Sequence, residues 1–165
     1  MSLIDLKANG LYILLFIRNY PPGSNDFHWG LYFHHNPNIG GTKYHVKQEG
    51  SGWIADHAPT VGVFKSFLLV GLFRIADVPV GWESHLDQTM RAYDNRLNSP
   101  GITCRVWVFW VLALLQKPIA GKIILKCDSL QSLETEVKDW GNANASSAAD
   151  NDQPRPLAAS TLCGL

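Results

Sequence analysis

The stretch Phe27-His28-Trp29-Gly30-Leu31-Tyr32-Phe33-His34-His35 alternates strictly. Phe27, Trp29, Leu31 and Phe33 fall on one side of an extended chain, and His28, Gly30, Tyr32 and His34 on the other. A period of two marks a strand, and the wholly apolar set is its core face. The second set is polar, and Gly30 leaves space above the sheet beside His28. Asn36-Pro37-Asn38-Ile39-Gly40-Gly41 has the composition of a hairpin loop, and Thr42 to Lys47 is the return strand. Pairing these two strands antiparallel allows His28 and His45 to share a face, with the register left open.

Working outward, Gly10 to Arg18 is almost continuously apolar and stops at Asn19-Tyr20-Pro21-Pro22-Gly23. Such a run suits a central strand buried on both faces. Trp53 to His57 reads as a short strand and Phe67 to Ala76 as a strongly apolar one. From Glu83 to Leu97 the apolar residues Leu86, Met90, Tyr93 and Leu97 recur every three or four positions, as on a surface helix with one buried stripe. Cys104 to Gln116 is a helix apolar nearly all round, with Thr103 as N-cap and Pro118 as its stop. Lys122 to Cys127 fits a strand or a helical extension. Asp128 to Trp140 is a helix with Gly141 just past its end. From Asn142 to Leu165 the chain is rich in Asn, Ala, Ser, Asp and Pro and reads as a flexible polar tail. The expected fold is α+β, one domain over residues 1–141. Its antiparallel sheet of about five strands packs against a buried cysteine-bearing helix and flanking helices.

Hydrophobic residues make up 46% of the 165 and charged residues 17%, a globular composition. Fourteen basic residues balance fourteen acidic ones, so nothing electrostatic calls for nucleic acid as a partner. The longest apolar run, Val106 to Leu115, falls well short of the roughly 20 residues of a membrane span. The first residues lack a signal-peptide pattern, and Cys163 stands one position too late for a prenylation box. Three cysteines without paired spacing argue against a disulfide framework and fit a reducing, cytoplasmic setting.

Cys104 would open a helix, where free N–H groups and the helix dipole favour a thiolate. A free cysteine is also a common small buried residue, so packing is its other reading. His28 beside Gly30 is the candidate base and His45 its companion; the plainer alternative is a strand histidine bonded to solvent. His34 and His35 fall at the hairpin tip, His57 beside Asp56 in a turn, and His85 on a helix surface. His28, His45 and Cys104 could together bind zinc, but no His-x-x-x-His or Cys-x-x-Cys spacing calls for it. No metal and no cofactor is therefore expected.

His28-Trp29-Gly30-Leu31-Tyr32, then Tyr44-His45, then Cys104 at a helix start, resembles the circularly permuted NlpC-type branch of the papain-like superfamily. Lecithin:retinol acyltransferase and related phospholipid enzymes are its best-known members. It is also similar to small proteins of fungal type. The resemblance runs in order from Phe27 to Leu115. It implies a Cys104 nucleophile, a His28 general base and a His45 that orients His28. The loop between the histidines is longer than in that family, and Arg105-Val106-Trp107 replaces its usual context after the cysteine. The retinyl and phospholipid substrates are therefore not carried over.

The expected function is a thiol-dependent hydrolase or acyltransferase acting on an amide, ester or thioester. The Cys104 N–H would supply part of an oxyanion hole. Trp29, Tyr32, Trp53 and Trp82 are candidates to line its apolar cleft. The alternative is a non-catalytic small-molecule-binding or biosynthetic accessory protein on the same fold.

Overall fold

The computed structural model describes residues 2–165, and the fold is α+β. Every residue of β1 (Gly10–Ile17) is buried. It pairs antiparallel with β2 (Phe27–Asn36) on one side and β7 (Leu69–Asp77) on the other. A strand with neighbours at both edges and packing on both faces can be apolar throughout, which explains its unbroken run. β3 (Gly40–Tyr44) and β6 (Ala58–Thr60) extend the sheet beyond β2. β8 (Leu157–Ala159) closes the far edge parallel to β7, giving the order β6-β3-β2-β1-β7-β8. β4 (Val46–Glu49) and β5 (Gly52–Ala55) form a separate hairpin.

The two faces of the sheet are covered very differently. On one lie α1 (Glu83–Met90), α2 (Cys104–Leu115) and α3 (Leu130–Ala149). α2 packs on β2, and α3 on β7 and β1. Leu11, Ile13, Trp29, Leu31 and Phe33 form one continuous core there with Trp107, Val108, Val111, Leu133 and Val137. Thr103 caps α2, its hydroxyl accepting the Val106 N–H at 3.2 Å. The opposite face carries a smaller cluster that includes Tyr12, Leu14, Phe16, Tyr32 and Leu72. Only short segments cover it, chiefly the 3-10 turns Leu3–Asp5 and Val63–Lys65. No helix among the described residues is long and apolar enough to cross a membrane.

Four expectations are corrected. The return strand is not continuous from Thr42 to Lys47. It leaves the sheet after Tyr44 and begins the hairpin at Val46, with His45 at the junction. The surface helix ends at Met90 and continues as turns to Leu97, although Leu86, Met90 and Leu97 are buried as the spacing required. Lys122 to Cys127 is neither strand nor helix. It is tied down by a Leu125 N–H bond to the Leu115 carbonyl and by burial of Ile124, Leu125 and Cys127.

The largest correction concerns the C-terminal segment. Residues 142–165 are not a flexible tail. α3 runs through Gly141 to Ala149, burying Leu133, Val137, Gly141, Ala145 and Ala148 at helical spacing. The stripe escapes a hydrophobicity reading because its second half is made of small residues. Smallness is what the packing demands there: a Cβ on Gly141 would sit 2.7 Å from Leu15 Cδ1 and 2.9 Å from Phe27 Cζ. Gly141 lets the helix approach the sheet and does not end it.

Candidate functional site

The site begins with a change of direction in the backbone. At His45 the chain passes from the sheet into the β4–β5 hairpin. The Asp56 N–H donates to the His45 carbonyl at 2.9 Å, and the His45 N–H donates to His57 Nδ1 at 3.2 Å. These bonds hold the segment after β5 beside His45. Across from it, Gly30 on β2 has no side chain; a Cβ there would lie 3.3 Å from His45 Cβ. The His45 ring therefore has room over the sheet face that carries His28.

The result is a hydrogen-bonded series of three side chains. His28 Nε2 lies 3.2 Å from His45 Nδ1, and His45 Nε2 lies 2.9 Å from Asp56 Oδ2. Asp56 is also 3.7 Å from the Lys47 ammonium. The protons are assigned by the partners. A carboxylate can only accept, so His45 Nε2 carries hydrogen and His45 Nδ1 is bare. His28 Nε2 must then donate to it, which leaves His28 Nδ1 as a lone pair without a partner among the described residues. Burial pushes His28 down to about 4, with the neighbouring charges of His45, Lys43 and Arg18 acting in the same direction. Burial and Lys43 push His45 down to about 4 as well, against the pull of Asp56. Both rings are neutral at pH 7.

A second histidine–carboxylate pair lies on the helical side. His57 Nε2 donates to Asp94 at 3.0 Å while its Nδ1 accepts the His45 N–H. Its ring stacks on Trp107 of α2 with centroids 5.6 Å apart. Both nitrogens are used and the side chain is 1% exposed, so His57 joins hairpin to helix and has no nitrogen free for chemistry. Next to it, the Tyr44 hydroxyl donates to Asp87 at 2.6 Å.

The structure brings His28 and His45 together but does not join them to Cys104. Trp29 faces α2, its ring 5.5 Å from that of Phe109. His28, one residue earlier, points the other way and meets Phe16, its direct cross-strand partner, with ring centroids 5.8 Å apart. Phe16 belongs to the smaller cluster on the second face, whereas Cys104 sits in the main core, 4% exposed. The sheet lies between sulfur and imidazole. The Cys104 thiol hydrogen-bonds to no histidine nitrogen among the described residues, and its backbone N–H is on the wrong side to serve an oxyanion at His28. The ligand set considered for zinc is split in the same way. Among the described residues no group of three or more His, Cys, Asp or Glu is arranged to hold a metal ion.

The aromatic candidates are dispersed. Trp29 is core at 1% exposure. Tyr32 is fully buried, its hydroxyl 2.9 Å from His34 Nδ1, which also places His34 inside the protein and away from the hairpin tip. Trp53 borders a shallow cavity with residues Asp94 to Ser99, and Trp82 packs edge-on against His85. Trp29 and Tyr32 lie on opposite faces of the sheet, so the four line no common cleft among the described residues. Asp56 and Lys43 are the residues a sequence reading passes over. The signal for Lys43 is its position two before His45, on the same strand face.

The three thiols are all buried. Burial pushes Cys163 up to about 12, and the adjacent Cys127 adds to the shift. Iodoacetamide at pH 8 is expected to modify none of the three in the native protein and all three in urea, as read by intact mass. Rapid native labelling of Cys104 would contradict its placement in the core.

Compared with protein-family models, with curated proteins and with solved structures, the chain finds no match.

Proposed function

We propose that the chain is an acyl hydrolase or acyltransferase whose working group is His28, with His45 and Asp56 behind it, and not Cys104. The observation that carries this is the unbroken series Asp56–His45–His28 ending in an unpartnered Nδ1 on the lightly covered sheet face. The acyl class rests on the resemblance of the His28-Trp29-Gly30-Leu31-Tyr32 strand to histidine-bearing strands of acyl-transfer enzymes. Water, or a substrate hydroxyl or amine, takes the place of the thiolate.

His28 Nδ1 accepts a proton as the nucleophile attacks the carbonyl carbon. His45 accepts the remaining N–H of His28, and Asp56 holds His45, so positive charge on His28 is opposed by a carboxylate two hydrogen bonds away. The proton returns to the departing alkoxide, thiolate or amine. A ring held near 4 is a weak base in the free protein, but it stays deprotonated throughout the neutral range. Negative charge developing on the substrate raises its affinity for the proton at the moment of reaction.

The test is hydrolysis of p-nitrophenyl esters of short and long acyl chains. His28→Ala is expected to lower kcat/KM by about 10²-fold, the ordinary worth of a general base. Cys104→Ala should leave it unchanged, and the rate should stay level from pH 8 down to pH 5 before falling. Loss of activity in Cys104→Ala, or full activity in His28→Ala, would overturn the assignment. Should no ester turn over in wild type, the non-catalytic small-molecule-binding protein is the reading that stands.

A further inference from the structure

Lys43 lies on the same face as His28 and His45 and is half-buried. To reach Phe16 on β1 from β3, its side chain crosses β2, where Gly30 contributes nothing to block it. Its Nζ sits 4.7 Å from the centre of the Phe16 ring and has no hydrogen-bond or carboxylate partner among the described residues. The ring face offsets part of the cost of taking an ammonium out of water, but not all of it. The His28 ring rests against the same Phe16 ring. One aromatic side chain thus contacts both an ammonium without a carboxylate partner and the ring that carries the unpartnered Nδ1.

The surrounding charges reinforce the pattern. On the β1 side Arg18 is 3.7 Å from Asp26. On the hairpin side Asp56 is bonded to His45, lies 3.7 Å from Lys47, and favours the charged form of Lys43 from beyond contact distance. Lys43 and Arg18 are near enough to His28 for both to oppose a positive charge on its ring. An anion is favoured there, yet the lone pair on His28 Nδ1 repels a bare oxyanion and attracts a hydrogen-bond donor.

From this juxtaposition we infer that the face beside His28 is a binding site for a small acid that presents an oxyanion to Lys43 and an O–H group to His28 Nδ1, such as a hydrogen phosphate or a 2-hydroxycarboxylate. The inference deepens the proposed function and rests on its assignment of a bare Nδ1 to His28. The acid would then be the released product, its O–H formed as His28 returns the proton to the departing oxygen, and the substrate would be the same acid acylated on that oxygen.

The experiment is a titration of the intact protein at pH 7, followed by the ring signals of His28 in ¹H–¹⁵N spectra at constant ionic strength. Four probes form two matched pairs: phosphate against sulfate, and lactate against acetate. Phosphate and lactate are expected to shift His28 saturably, at millimolar concentration. Sulfate and acetate, which lack the O–H at this pH, should bind at least about tenfold more weakly. Lys43→Met, which keeps an apolar stem over Phe16, should abolish saturation, and Lys43→Arg should retain it. Equal binding of phosphate and sulfate, or unchanged binding by Lys43→Met, would overturn the inference. Full esterase activity in His28→Ala, with phosphate still binding about tenfold more tightly than sulfate to the wild-type protein, would instead remove the catalytic reading and leave the binding site intact.

Discussion

Arg155→Ala is expected to destabilise the protein by about 4 kcal/mol, read as a lowered urea midpoint. Arg155 is 3% exposed and pairs with no carboxylate among the described residues. It is satisfied by neutral oxygens instead. Nε donates to the Leu69 and Val70 carbonyls at 3.1 and 3.2 Å, and Nη1 to the Asp152 carbonyl at 2.7 Å. Nη2 reaches the Val70 and Asn144 carbonyls at 3.0 and 3.1 Å and the Ser147 hydroxyl at 3.1 Å. One planar fork therefore holds the start of β7, the last turns of α3 and the approach to β8. Truncation leaves several buried acceptors unpaired and opens a cavity beneath them, and both effects have the same sign. Arg155→Lys should recover only part of the loss, because a point ammonium cannot reach all of these oxygens at once. A change below about 1 kcal/mol in Arg155→Ala would mean that the C-terminal segment is not part of the cooperative unit.

The second large effect is acid sensitivity. In the unfolded chain a histidine titrates near 6.5, whereas His28 and His45 are held at about 4 in the fold. Folding therefore favours their neutral forms. The stability this confers is fully present above pH 6.5. It declines as the unfolded chain takes up protons that the native protein refuses, and the decline continues until the native rings themselves protonate near pH 4. The expected loss between pH 7 and pH 4.5 is about 3 kcal/mol for the two together, because solvent screens the half-buried His28. His34, pushed down by its own burial, acts in the same direction. Urea midpoints at the two pH values check this, with His28→Gln/His45→Gln losing less than half as much as wild type. Equal losses in the two proteins would show that the pair is not held neutral.

The sheet was largely legible because its strands advertise themselves. The run Gly10 to Ile17 is apolar enough to be central, and the alternation of Phe27 to Phe33 assigns its faces correctly. The same alternation already contained the objection to pairing Cys104 with His28. An all-apolar helix packs on the apolar face of a strand, which is the face His28 does not occupy. Nearness in a family pattern took precedence over period two. The C-terminal segment from Asn142 was misread for another reason. Its packing uses Gly141, Ala145 and Ala148 against the sheet and a buried Arg155, and neither small residues nor a lone arginine looks like core in a hydropathy pattern. Asp56 reads in the sequence only as the neighbour of His57 in a turn, because it is the backbone bonds at His45 that bring it within reach of the His45 ring.

The central claim is that burial keeps His28 neutral while Asp56 and His45 fix its tautomer and leave Nδ1 bare. Long-range ¹H–¹⁵N spectra of the imidazoles at pH 7 test it most directly. The account requires both rings to be neutral, with hydrogen on Nε2 and a lone pair on Nδ1, and Asp56→Asn to disturb that assignment first at His45 and through it at His28. A His28 ring protonated on Nδ1 at pH 7, or one whose state is indifferent to Asp56, would contradict it.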